Sequence, residues 1–190
     1  DIFAGGAPDL SLLKDHLSRF AAGEFAALPD IVTVADDVLA PALGAYARDT
    51  RTIYLSESLL ASASSRMLAT RVLLEEIGHW LDAAVCRQET PGDEGEHFAS
   101  VVLGEPLSAR DIARIRSEDD WAIIQLAGRD MPVECALITQ DQVDKLEAGI
   151  DQTLDRVRQA LALEVFAEKL PVIGDDLKAA FDAGQSALEQ

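Results

Sequence analysis

Cations are what this chain has least of. Sixteen lysines and arginines stand against thirty-four aspartates and glutamates in 190 residues, for a formal net charge of −18. Such a charge repels phosphate backbones and anionic lipid at long range, which argues against nucleic acid and membrane surfaces as partners. Long apolar runs are missing as well. None reaches the ~18–20 residues that a spanning helix needs, so no membrane insertion is expected. No basic and then apolar leader opens the chain, which starts Asp1-Ile2-Phe3, as a segment excised from a longer protein would. Cysteine is scarce: Cys86 and Cys135 are too far apart for a zinc-binding spacing and leave one disulfide or two free thiols open. The chain also lacks a G-x-S-x-G elbow and a phosphate-cradling glycine loop, so nucleophilic serine and nucleotide chemistry have no local support.

What is present is a hydrophobic fraction of 48%, enough in a chain this long for one core and a small helical appendage. Leu10, Leu12, Leu13, Leu17 and Phe20 recur at helical spacing behind Asp9 or Ser11 as cap, with His16 at the helix boundary. Ile31 to Val34 and Thr52 to Leu55 are short β-branched or aromatic runs that predict strands. Residues 64–85 keep apolar positions through Met67, Val72, Leu73, Ile77, Trp80, Leu81 and Val85 without proline, which predicts a long central helix. Pro91-Gly92-Asp93 breaks the chain, and a helix over Glu94 to Leu103 is expected beyond it. Ser108 can cap another through Ile115, and Trp121 to Leu126 with Met131 to Glu134 read as a hairpin about Gly128-Arg129-Asp130. A boundary is expected near residue 138. From 139 to 190, Leu146, Ile150, Leu154, Val157, Leu161 and Val165 form an amphipathic seam, and Pro171 and Gly174 separate it from a second helix. The prediction is an α+β domain over 1–138 and a helical extension over 139–190.

The central helix carries Glu75-Glu76-Ile77-Gly78-His79, one letter from the zinc-peptidase string H-E-x-x-H. In the full string two histidines at i and i+4 bind the metal from one helix face, and the glutamate between them works on a bound water. Here Glu75 replaces the first histidine. At about 100° per residue Glu75 and His79 still share a face, and zinc accepts carboxylate oxygen as well as imidazole nitrogen. A third ligand must come from elsewhere, and Glu94 in Gly92-Asp93-Glu94-Gly95 is the best source.

With that string, the two strands before it and the glutamate-bearing helix after it, the chain resembles the zincin metallopeptidases, with Glu94 placed as third ligands are in the gluzincin type. Leu74 to Asp82, Gly92 to Gly95, Glu118-Asp119-Asp120 and the hairpin are similar to a module of large secreted, repeat-bearing bacterial proteins, cyanobacterial ones included. The resemblance implies a zincin-like fold with a small sheet and central motif helix, exported as part of a larger protein. It implies Glu75, His79 and Glu94 as metal ligands and Glu76 as general base. Thr52, Ile53 and Tyr54 would form the edge strand that pairs with an extended protein or peptide substrate. Zinc follows from the resemblance, although a Glu-Glu-His set leans toward manganese, iron or calcium.

The expected activity is peptide hydrolysis at one divalent metal. The alternative is a non-catalytic scaffold or interaction module, in which the C-terminal helices bind a partner or self-associate. Two plainer readings compete: Glu75, Glu76 and His79 as a solvated helix face, and Glu76-x-x-His79 with Glu94-x-x-His97 as a di-iron pair, for which the copies stand too close in sequence.

Overall fold

A computed structural model describes residues 2–61 and 66–136; the expected boundary near 138 and the extension over 139–190 lie outside the described residues. Asp9, rather than Ser11, caps the first helix, α1 (Leu10–Ala21): its Oδ1 accepts the N–H groups of Ser11 and Leu12 at 3.0 and 3.1 Å. After β1 (Asp30–Val34) come a single turn, α2 (Asp36–Leu39), then β2 (Gly44–Ala47), β3 (Thr52–Ser56) and α3 (Glu57–Ala61). The central helix α4 spans Arg66–Val85, and α5 (Glu94–Val102) and α6 (Ala109–Ile115) follow it. A hairpin of β4 (Trp121–Leu126) and β5 (Arg129–Ala136) completes the described part. Its loop is Ala127-Gly128, with φ of 52° and 76°, so both turn residues are left-handed as a type I′ hairpin requires.

The architecture is mixed α+β, a five-stranded sheet with six α-helices among the described residues. Strand order is β1-β3-β2-β5-β4, with β1 parallel to β3 and every other pair antiparallel. Strand β2 was not anticipated, because Gly-Ala-Tyr-Ala has little β propensity. Its small residues are needed for another reason: a Cβ at Gly44 would stand 2.5 Å from Val72 and 2.7 Å from Glu76, so only glycine lets α4 lie this close.

Alternation along the strands assigns the two sheet faces. Tyr46, Ile53, Leu55 and Ala136 join the larger core with Val72, Leu73, Ile77 and Trp80 of α4. Ala45, Ala47, Tyr54, Val133 and Cys135 form a smaller core on the opposite face with Leu39 and Ile124. Helix α4 is buried around nearly its whole circumference, with the sheet on one side and α1 and α5 on others, which is why its sequence is apolar well beyond one stripe. Cys86 and Cys135 are both free thiols. No described helix is long and apolar enough to cross a membrane.

Candidate metal centre

Burial settles the solvated-face reading against itself: Glu75, Glu76 and His79 are at most 1% exposed. The reason is the crossing of α4 and α5. A Cβ at Gly78 would stand 2.8 Å from the Cα of Gly95, and one at Gly95 would stand 2.5 Å from Nε2 of His79 and 2.6 Å from the carbonyl of Glu75. Two glycines therefore let the helices meet nearly backbone to backbone, with the imidazole laid against α5. Asp93 starts that helix, its carboxylate accepting Glu96 N–H at 2.6 Å, while its own N–H donates to Ile115 at 2.8 Å. Gly92, at φ 97°, makes the left-handed step into the cap.

Glu94 is thereby delivered to the motif histidine. Its Oε1 lies 3.1 Å from His79 Nδ1. The same nitrogen is 3.5 Å from Asp120 Oδ2 and 4.0 Å from Glu134 Oε2, and Asp93 Oδ1 is 3.8 Å from Nε2. One ligand atom each from His79, Glu94 and Asp120 falls within 4.8 Å of the others, and all three residues are buried. Asp120 is held at the base of the hairpin, where its carbonyl accepts Cys135 N–H at 3.0 Å.

Of the three ligands expected from the sequence, the structure brings two side chains together. His79 and Glu94 come together; Glu75 lies in neither of the groups of converging donor atoms among the described residues. Glu76 is turned to the sheet, where its Oε1 accepts the backbone N–H of Ala136 at 3.0 Å. The proposed substrate strand needs correction. β3 pairs with β1 on one side and β2 on the other, so it has no free edge for a peptide. Tyr54 faces the smaller core, and Ile53 is packed under α4. Thr52, Ile53 and Tyr54 are all buried. Asp120 and Glu134 were the residues missed. The available signal was Glu134 itself, a lone acid between Val133 and Cys135 in a strand end that is buried throughout.

Electrostatics separate this cluster from its neighbour. Asp93, Glu96 and Glu118 also converge, but Arg114 pairs with Glu96 at 2.9 and 2.5 Å and with Glu118 at 2.5 Å, so protein cations already serve that group. Arg71 is likewise committed, to Glu105 at 2.8 and 2.7 Å with Glu96 at 3.7 Å. Beside the His79 cluster, half-exposed Arg48 places its guanidinium 3.6 Å from Glu134 and 3.8 Å from Asp82. Two like charges 4 Å apart repel by about 4 kcal/mol at an effective dielectric of 20, so this cluster is costly unless protonated or ligated.

The titration shifts express that cost. Burial pushes Glu134 up to about 8, with the Glu94 charge adding to it. Burial likewise raises Asp120 to about 6 and Asp93 to about 7, against the opposing pull of His79. Glu75 and Glu76 are raised well above the carboxylate range, burial again being the main cause. For His79 burial works against the charged form, but Glu94, Asp93 and Glu76 overcome it and raise the imidazole well above its usual value.

Four buried carboxylate oxygens here have no hydrogen-bond partner, Glu75 Oε2, Glu76 Oε2, Asp120 Oδ2 and Glu134 Oε2, and His79 Nε2 has none either. Unpaired buried carboxylate oxygens are rare, because each forfeits its hydration without return. Two of the four face His79 Nδ1. A divalent cation would satisfy them, and the donors present, one imidazole nitrogen and carboxylate oxygens, fit such an ion. The chain matches no family model, no curated protein and no solved structure.

Proposed function

We propose that this chain is a divalent-cation-binding domain of zincin descent, in which the ion would be held by His79, Glu94 and Asp120 and serve chiefly to hold the fold together. The observation that carries the reading is the convergence of those three buried donors, with Asp120 Oδ2 left unpartnered beside the imidazole. A non-catalytic role is favoured because every donor is buried and β3, the strand that would have paired with substrate, has no free edge. A single nitrogen among carboxylates favours a harder ion than a two-histidine zinc site does, so manganese or calcium should compete well with zinc. The zincin likeness and export as part of a larger bacterial protein belong to this proposal. They rest on the motif, the strands before it and the glutamate helix after it.

The test is metal content and affinity of the purified protein beside His79→Ala and Glu94→Gln. Stoichiometric binding by the parent that is lost in both variants is the expected result. A parent that binds no manganese, calcium or zinc would end the reading.

Peptide hydrolysis is the second reading, and one observation favours it. Glu76 Oε2 is unpartnered in the same buried region as His79, and the group's raised proton affinity suits a general base. The chemistry such an ion supplies when bound is Lewis-acid polarisation. Glu76 would then take a proton from the water that attacks the peptide carbonyl, through Oε2, while Oε1 keeps the Ala136 N–H. Proteolysis that disappears in Glu76→Gln while metal is retained would support this reading; activity unchanged by that substitution would exclude it.

A further inference from the structure

Glu134 approaches the same His79 nitrogen as Glu94 and Asp120, but from a different element. Its Oε2 is 4.0 Å from His79 Nδ1 and has no hydrogen-bond partner, although the residue is only 2% exposed. Two ligands each about 2.1–2.4 Å from one ion can be no more than about 4.2–4.8 Å apart, so this pair is within the span of a shared cation. Glu134 stands outside the group of donors that all lie within 4.8 Å of one another, and its side chain would have to close on Glu94 and Asp120 as the ion binds. The other oxygen, Oε1, is 3.6 Å from the Arg48 guanidinium. One oxygen thus faces the partly exposed arginine, and the other faces His79 without a hydrogen-bond partner.

Position in the sheet makes the contact more consequential. Glu134 lies opposite Trp121 in the hairpin and opposite Tyr46 of β2, and Asp120 immediately precedes Trp121. Asp120 and Glu134 are therefore neighbours across the base of the hairpin, joined by the Cys135 N–H to Asp120 carbonyl bond of 3.0 Å. Two residues on, Ala136 N–H donates to Glu76 of α4. Both acids approach the α4–α5 crossing from the hairpin base, and each faces His79 Nδ1.

We propose that Glu134 is a fourth ligand, so that a bound divalent ion ties the base of the β4–β5 hairpin to α4 and α5. This rests on the cation-centre reading above and adds a residue and a consequence to it. The centre then takes one imidazole nitrogen and three carboxylates, one each from α5, the strand approach at Asp120 and β5. Without the ion, the hairpin base brings two carboxylates up to Glu94. With it, the same groups become the bond between sheet and helices.

The experiment uses the whole chain with manganese, zinc and calcium chlorides as probes. Affinity is measured by calorimetry for the parent, Glu134→Gln and Arg48→Gln, and amide hydrogen exchange is followed with metal or with chelator. Loss of even an outer-shell partner costs metal sites ~10–100-fold, so Glu134→Gln should bind at least about tenfold more weakly. Arg48→Gln, which breaks the ion pair but leaves the carboxylate free to ligate, should bind as tightly as the parent or more so. In the parent, metal should slow exchange at Cys135 and Ala136.

A parent that binds metal while Glu134→Gln binds equally well would overturn the inference and leave the three-donor centre standing. So would an equal loss in Glu134→Gln and Arg48→Gln, which would mark the ion pair as structural. Exchange in the parent needs no variant to fold: protection at Cys135 and Ala136 that metal does not change would also overturn the inference. No binding by the parent would remove both readings together.

Discussion

Glu75 and Asp120 show how little a one-dimensional spacing says about a donor's direction. Glu75 shares the helix face of His79, yet its free oxygen belongs to no converging group, whereas Asp120, forty-one positions from His79 in the numbering, lies 3.5 Å from Nδ1. Asp120→Asn should weaken metal binding by about tenfold or more, and Glu75→Gln by less, since a neutralised neighbour loses only a through-space attraction. Calorimetric titration decides between them, and the reverse order would return Glu75 to the ligand set. Gly95 is the other residue with a sharp consequence. Alanine there gains about 1 kcal/mol of helix propensity but drives a Cβ to 2.5 Å from the imidazole and 2.6 Å from a backbone carbonyl, and overpacking costs about 1–3 kcal/mol. The carbonyl belongs to α4 and cannot step aside alone, so net destabilisation in urea is expected, together with weaker metal binding as His79 is displaced.

Among the elements, α4 and α5 were readable in advance because their signals are local: apolar recurrence without proline, and a Pro-Gly-Asp break. α6 is a similar case. Ser108 and Asp111 form a reciprocal capping box on an exposed helix, 3.2 and 2.9 Å in its two bonds. Ser108→Ala should cost about 1 kcal/mol in thermal or urea unfolding. Metal affinity should not change, because α6 supplies none of the converging donors around His79; a parallel loss of affinity would show that α6 positions α5. The hairpin was legible too, from its flanking apolar runs and glycine. Strand β2 was not, since its residues are chosen for closeness to α4 rather than for strand propensity. The placement of β3 was misjudged for a related reason: a strand's sequence records how deeply it is buried, but not which strands pair with it.

For the whole molecule, charge and burial combine into a pH dependence. Asp120, Asp93 and Glu134 have proton affinities raised from 3.8, 3.8 and 4.5 to about 6, 7 and 8, and His79 is raised above 6.5. A group with a raised value in the folded state contributes stability below its unfolded value and loses it as pH rises through the folded one. Metal-free protein should therefore be less stable at pH 8 than at pH 5, as thermal unfolding in chelator would show. Metal binding needs the deprotonated donors and stabilises only the folded state, so the rise in Tm on adding metal should be larger at pH 8. Equal increments at both pH values would show that these groups do not hold the ion.

The sequence by itself determined the acidic character, the mixed α+β class, the long central helix with its Glu-Glu-x-x-His string, and the pairing of His79 with a glutamate beyond the Pro-Gly turn. These depend on composition and on contacts between near neighbours in the chain, which periodicity and turn residues report directly. Only the tertiary structure decided that Glu76 turns to Ala136, that β3 lies inside the sheet, and that Asp120 and Glu134 close on His79. Those outcomes depend on strand order and on the close crossing of α4 over α5 at Gly78 and Gly95. Strand order is chosen by long-range pairing, which leaves no period in the sequence, and a helix crossing this tight leaves only two glycines.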